Sequence, residues 1–258
     1  MLFRSEAIGE TEDAAYYHNL FLEVRDAFNK EFVDAEGHVK GQTQTSYLVA
    51  LKFDLLPTEE ARQKAADYLV ADIKAKDWHL STGFIGVAYL CPMLTEMGYS
   101  DVAYRLLLQD TYPSWLYSVK AGATTIWERW NSYIAETGQF GDVGMNSFNH
   151  YSLGSVGEWF YNYVGGIKYD ETNPGYKNVT INPYQGGDLE FANTSYETPY
   201  GTIISNWKYV DNNTLQMDVQ IPTNSTATIY VPTEDGGIDN ITAGTYHGSD
   251  DFVMPVLR

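Results

Sequence analysis

Val164-Gly165-Gly166-Ile167-Lys168-Tyr169-Asp170 is where this chain changes its grammar. Before this stretch, apolar residues recur at helical spacing. After it, Thr, Asn, Val, Ile, Tyr and Pro dominate, and apolar and polar residues alternate. The switch is a direct change from helix to strand, not a flexible linker.

Working back from the switch, His150 to Val164 reads as an aromatic helix. Tyr112-Pro113-Ser114 opens a short one. Another starts near Ser100-Asp101, after Gly98 ends a helix running from Ile85 to Met97. Pro57-Thr58 starts a helix that reaches about Lys76, with Glu59 and Glu60 in its first turn. Thr43 to Leu55 puts Tyr47, Leu48, Leu51 and Leu55 on one face. Ala14 to Phe32 does the same with Ala14, Tyr17, Phe21, Val24 and Phe28, and Asp34-Ala35-Glu36-Gly37 breaks it. Helix–turn–helix units without intervening strands, about seven helices in all, predict an α-bundle or α-toroid.

Working forward, the ranges 178–182, 188–195, 201–209, 214–221 and 225–231 read as strands. Turns fall at Asn173-Pro174-Gly175, Gly186-Gly187, Asp211-Asn212-Asn213 and Asp235-Gly236-Gly237. Closely spaced strands with polar turns predict a β-sandwich. Five Asn-x-Ser/Thr triplets start at Asn178, Asn193, Asn212, Asn224 and Asn240, as chance allows in a segment rich in Asn and Thr.

Composition narrows the function classes. Hydrophobic residues make up 44% of the 258, enough for a packed core. The net charge of −18 argues against nucleic acid and anionic membrane surfaces as partners. No apolar run approaches the length of a transmembrane helix. The single cysteine, Cys91, lies in an apolar stretch and reads as a buried small hydrophobe. The five histidines are scattered, without metal-ligand spacing, and no phosphate loop or GxSxG elbow occurs. Tyrosine (21) outnumbers phenylalanine (11), and there are six tryptophans; rings with a polar handle suit hydroxyl-rich ligands.

The chemistry concentrates in two strings. Thr124-Thr125-Ile126-Trp127-Glu128-Arg129-Trp130 sets a carboxylate between two tryptophans. Met145-Asn146-Ser147-Phe148-Asn149-His150-Tyr151 is an amide- and histidine-rich turn. Rings stack on the C–H faces of sugars, polar groups read hydroxyls, and a carboxylate does proton work at the anomeric carbon. Glu128 is the candidate catalytic carboxylate; its structural alternative is an ion pair with Arg129 or another basic group near a helix end. His150 can accept from one hydroxyl and donate to another, or satisfy backbone groups at a helix start. Asn149 and Asn146 can bond hydroxyls or cap that helix, with capping favoured for Asn146. Trp130 is the preferred stacking ring, whereas Trp127 could equally be core. His79 lies in an inter-helix loop, lining a pocket or packing the loop. Gly83 and Gly86 read as close-packing positions.

These strings resemble the bacterial α-L-rhamnosidases, family 78 of the glycoside hydrolases. The resemblance rests on the TIWERW core and the run from Gly144 to Trp159. It extends to His79-Leu80-Ser81-Thr82-Gly83-Phe84-Ile85-Gly86, Gly165-Gly166-Ile167, Pro174-Gly175-Tyr176 and Tyr196-Glu197-Thr198-Pro199-Tyr200-Gly201. It implies an α+β multidomain architecture: a partial (α/α)6 barrel (α-toroid), followed by a C-terminal antiparallel β-sandwich. Residues 1–167 would be the later part of the catalytic barrel and 168–258 the β-sandwich. It implies Glu128 as general base of an inverting mechanism, His150 as a pocket histidine contacting rhamnose, and a rhamnose-containing glycoside or polysaccharide as substrate. Acid–base hydrolysis requires no cofactor. The partner acid lies far upstream in the family, and no matching Asp/Glu-rich segment occurs here. Leu2-Phe3-Arg4-Ser5 matches a translated sequencing adapter, so Met1 to Ser5 are set aside as a scar on a gene fragment. A part-toroid would leave apolar helix faces uncovered. Two alternatives stand beside hydrolysis of rhamnosides: a non-catalytic carbohydrate-binding protein, and a different (α/α)6 glycosidase or lyase.

Overall fold

The computed structural model describes residues 2–170, 173–211, 214–232, 238–243 and 252–257, with side chains from 4 to 231. The turns expected at Asp211-Asn212-Asn213 and Asp235-Gly236-Gly237, and the side chains of Asn212, Asn240 and His247, lie outside the described residues. The chain divides into two compact units, Met1–Leu153 and Gly154–Arg258.

The first unit is helical: α1 (Leu2–Ala7), α2 (Thr11–Phe32), α3 (Gln44–Lys52), α4 (Glu59–Ala75), α5 (Phe84–Glu96), α6 (Ser100–Leu107) and α7 (Trp115–Lys120). Local chemistry sets the starts. Thr43 Oγ1 accepts from Ser46 N–H and Ser46 Oγ from Thr43 N–H, a capping box built on serine. Thr58 caps α4 through Ala61 N–H at 3.1 Å, and Ser114 caps α7 through Tyr117 N–H at 3.1 Å. The helix α3 packs against both α4 and α5, and α5 against α6. The core runs through Leu48, Leu51, Leu69, Ile73, Leu90, Leu94 and Leu106, each almost fully buried. Gly86 makes the α3–α5 contact close: a Cβ there would lie 2.6 Å from Thr45 Oγ1 and 3.1 Å from Thr82 Cγ2. Gly83 has open space where its Cβ would be, so its place is the start of α5 and not a tight contact.

Three regions add to the sequence reading. The residues set aside as a scar take helical form in α1, where Ser5 is buried and its carbonyl accepts from Glu10 N–H at 2.9 Å. The stripe on α2 is largely uncovered: only Ala14 is buried, and Val24 stays 51% exposed. A short hairpin, β1 (Tyr133–Ile134) with β2 (Gln139–Phe140), also lies in what the sequence read as loop.

The second unit opens with a helical run of mixed pitch. Ser152–Ser155 is a 3-10 turn that crosses in from the first unit, α8 (Val156–Trp159) follows, and Phe160–Val164 is a π-helix. Then come β3 (Ile167–Tyr169), β4 (Asn178–Ile181), β5 (Phe191–Thr198), β6 (Gly201–Asp211), β7 (Thr214–Gln220), β8 (Thr226–Pro232), β9 (Ile238–Ala243) and β10 (Phe252–Leu257). They form two four-stranded sheets, ordered β10-β7-β6-β5 and β3-β4-β8-β9. All pairs are antiparallel except β4 with β8, because the chain leaves the second sheet after β4 and returns to it at β8. Alternation buries one face of each sheet: Ile203, Ser205 and Trp207 on β6, Leu215, Met217 and Val219 on β7, Ala227, Ile229 and Val231 on β8.

The compact units divide at Leu153–Gly154, before the change of grammar at Ile167, because the mixed-pitch helix belongs with the sheets. Trp207 Nε1 donates to Val164 O at 2.8 Å and Ser205 Oγ to Gly165 O at 2.6 Å. Gly166 sits at φ +74, and a Cβ there would fall on the backbone of Asn182 and Pro183, so the switch requires glycine. Among the described residues, no helix is long and apolar enough to cross a membrane.

Candidate active site

Three loops of the helical unit converge. One precedes α5 (residues 79–83), one follows α7 (residues 121–132), and one precedes the 3-10 turn (residues 144–151). The last two are zipped together by backbone bonds. Glu128 N–H donates to Ser147 O at 2.9 Å and His150 N–H to Ile126 O at 2.9 Å; Thr125 Oγ1 donates to Phe148 O. The first loop joins through Trp130 Nε1, which donates to Thr82 O at 2.9 Å.

Glu128 is half-buried. Its Oε2 accepts from Ser147 N–H at 2.6 Å, a short charge-assisted bond that fixes the carboxylate's direction. Among the described residues, Oε1 has no hydrogen-bond partner, which leaves one oxygen free to take a proton. The ion-pair alternative for this glutamate is not what the structure shows: Arg129 Nη1 pairs with Asp142 Oδ2 at 3.2 Å.

His150 is held between rings. Phe84 stacks on it at 4.7 Å with planes 7° apart, and Tyr151 lies at 5.6 Å with planes 6° apart. Its Nδ1 accepts from Ser152 N–H at 3.4 Å, which leaves Nε2 as the ring nitrogen open to a ligand among the described residues. The side chain of Asn149 is exposed; its backbone N–H donates to Ser147 Oγ at 3.1 Å. Asn146 does not cap a helix. Its Nδ2 donates to Ser132 O at 2.9 Å, tying the two loops together.

The two tryptophans differ. Trp127 is 6% exposed. It belongs to a closed group of edge-on rings with Phe148 (5.5 Å) and Tyr133 (6.4 Å), completed by Phe140 from the hairpin. It offers packing, not an open stacking face. Trp130 is half-buried, edge-on to Trp115 at 5.4 Å, and lines a cavity of about 490 Å³ with Leu80, Thr82, Tyr112 and Pro113. His79 lines the same cavity with both ring nitrogens engaged, Nδ1 to Lys76 O at 2.9 Å and Nε2 to Thr111 Oγ1 at 2.8 Å. Its ring is therefore fixed by the loop.

Sequence reasoning passed over three residues. Phe84 was quoted within a motif but given no role. Ser147 supplies the donor to Glu128 through its backbone, which no side-chain pattern reveals. Gln44 is fully buried; it donates to His79 O at 3.1 Å and accepts from Ser81 N–H at 2.7 Å, standing in for a peptide group under the first loop. Among the described residues, no group of three His, Cys, Asp or Glu is placed to hold a metal ion.

The chain matches the bacterial alpha-L-rhamnosidase 6 hairpin glycosidase domain over residues 3–164 and the bacterial alpha-L-rhamnosidase C-terminal domain over residues 166–245. It is 43% identical to an alpha-L-rhamnosidase of Streptomyces avermitilis over 240 residues, 93% of this chain and 23% of that protein. It is 44% identical to one from Formosa agariphila over 232 residues, 89% of this chain and 24% of that protein. The crystal structure of the Streptomyces avermitilis enzyme complexed with L-rhamnose superimposes with a TM-score of 0.84, covering 89% of this chain and 22% of that one. Native rhamnosidase from Aspergillus terreus superimposes with a TM-score of 0.89 at 33% identity, covering 98% of this chain and 28% of that one. The chain thus spans about a quarter of the length of the relatives it matches. It belongs to the bacterial α-L-rhamnosidase family, carrying six-hairpin glycosidase sequence followed by that family's C-terminal domain.

Proposed function

We propose that this chain carries the general-base side of an inverting glycosidase that releases terminal α-L-rhamnose from rhamnosides. The observation that carries the reading is Glu128: Oε2 pinned by Ser147 N–H, Oε1 open, on loops shared with His150 and Trp130. Oε1 takes a proton from water as that water attacks the anomeric carbon. The Nε2–H of His150 donates to a rhamnose hydroxyl, the amide of Asn149 reads another, and the ring of Trp130 gives the sugar an apolar wall. Trp127 and His79 support these groups from behind.

An inverting enzyme needs a second carboxyl group about 6.5–9.5 Å from the first, to protonate the leaving oxygen. The carboxylates nearest in sequence are committed elsewhere: Asp142 to Arg129 and Gly144 N–H, Glu136 to the hydroxyl of Tyr117. We take the acid to come from a segment outside these residues, as the resemblance to the family, whose acid lies far upstream, implies. The substrates are rhamnose-containing glycosides or polysaccharides, in keeping with the rhamnose complex of the Streptomyces avermitilis relative.

The test is hydrolysis of p-nitrophenyl α-L-rhamnoside, followed by proton NMR. It uses this chain preceded by the upstream region of the Streptomyces avermitilis relative. The expected first product is β-L-rhamnose. Release of the α anomer would contradict inversion, and absence of hydrolysis would contradict the assigned substrate.

A further inference from the structure

The β unit has an outer sheet face that the hydrolytic reading leaves unused. Along β5, β6 and β7 the outward residues form two cross-strand rows, Phe191–Lys208–Gln216 and Asn193–Asn206–Asp218. These six side chains line a cavity of about 310 Å³ together with Trp207, at the small end of the range for ligand pockets. Phe191 is 59% exposed, a large ring turned to solvent at one edge of the cavity. Among the described residues, the Asn193 and Gln216 amides and the Lys208 ammonium have no hydrogen-bond or ion-pair partner. Asn206 is oriented: its Oδ1 accepts from Thr194 N–H at 3.0 Å, and its Nδ2 reaches Asp218 Oδ2 at 3.5 Å.

We propose that this face binds a neutral oligosaccharide, at a second site separate from the loops around Glu128. Side-chain chemistry selects the ligand. An exposed ring stacks on the C–H face of a sugar, while amides, a carboxylate and an ammonium group pair with hydroxyls that both donate and accept. The lining holds one cation, Lys208, and one anion, Asp218, so it matches a ligand without net charge. A polyanion would meet Asp218 and a chain of net charge −18. A protein partner would need an apolar centre, and here Phe191 is the single exposed apolar ring among polar neighbours. The inference stands independently of the proposed hydrolysis, since binding here requires neither Glu128 nor His150.

The experiment is native affinity electrophoresis of the full chain in gels containing xyloglucan, arabinogalactan or arabinoxylan, with polygalacturonate as the acidic comparison. Retardation in at least one neutral gel is expected. Phe191→Ala, Asn193→Ala and Gln216→Ala should each weaken it by about threefold to tenfold. Each replaces an outward side chain, and an unchanged melting curve verifies that the variant is folded. His150→Ala should leave the retardation unchanged. The proposal is overturned by absence of retardation in all neutral gels, by retardation confined to polygalacturonate, by retardation indifferent to all three sheet variants, or by its loss in His150→Ala.

Discussion

Gln44→Ala tests how the first loop of the candidate site is held. The side chain is fully buried and makes two hydrogen bonds to the loop, donating to His79 O at 3.1 Å and accepting from Ser81 N–H at 2.7 Å. Truncation strands one donor and one acceptor. Each stranded group costs about 1–3 kcal/mol when buried, and the loop side is only part-buried, so the lower end applies. The space left by the amide adds a cavity cost. Together these give a loss of about 2–4 kcal/mol, a large share of the roughly 5–15 kcal/mol that keeps a domain folded. Gln44→Glu keeps the acceptor for Ser81 but buries a carboxylate against His79 O, so at neutral pH it should lose at least as much as Gln44→Ala. The assay is urea unfolding followed by the helical circular dichroism signal. Hydrogen exchange at residues 79–83 provides the local readout, which should quicken because Thr82 O is the acceptor for Trp130. A Gln44→Ala midpoint within about 0.5 kcal/mol of the parent, with unchanged exchange, would refute the reasoning.

Other predictions follow from single contacts. Phe84→Leu removes the ring stacked on His150 while an exposed position tolerates the change. In this chain joined to the upstream region of the Streptomyces avermitilis relative, kcat/KM on p-nitrophenyl α-L-rhamnoside should fall by about threefold to tenfold with little change in melting temperature. Gly86→Ala drives a methyl group against Thr45 Oγ1 and should cost about 1–3 kcal/mol. Thr45→Ala should recover part of that loss, measured as a coupling energy in a double-mutant cycle. Burial pushes the Cys91 thiol from 9.0 up to about 12. The unfolded thiol ionises first, so the stabilising contribution is complete below pH 9.0 and is lost as pH rises toward about 12. Urea midpoints should fall across that window, and less steeply in Cys91→Ala. At neutral pH the native thiol should stay silent to a thiol reagent.

What the sequence made legible was what periodicity and caps encode. Thr58, Ser114 and Thr43 announced helix starts at the positions found, because a capping side chain acts within a few residues of itself. The β4–β8 strands were legible from alternation, but the parallel pairing of β4 with β8 was not, since it depends on the chain leaving one sheet and returning. The hairpin Tyr133–Phe140 has two residues in each strand, too short for a period to show. It carries two of the rings that wall in Trp127. Within the site, Glu128 and His150 stood out by residue type. Their supports did not: a backbone N–H at Ser147, a ring at Phe84 remote in sequence, and a buried Gln44 that resembles any surface glutamine until it is packed. Asn146 had the chemistry of a cap, but its amide lies against Ser132 O, a distant carbonyl no local pattern could supply.

The most direct test is the kcat of Glu128→Gln on p-nitrophenyl α-L-rhamnoside, in this chain joined to the upstream region of the Streptomyces avermitilis relative. Glutamine can still accept from Ser147 N–H, but cannot take a proton from water. The expected result is a fall in kcat of about 10²–10⁴-fold with KM changed by less than about threefold. A kcat within about threefold of the parent would contradict Glu128 as the general base.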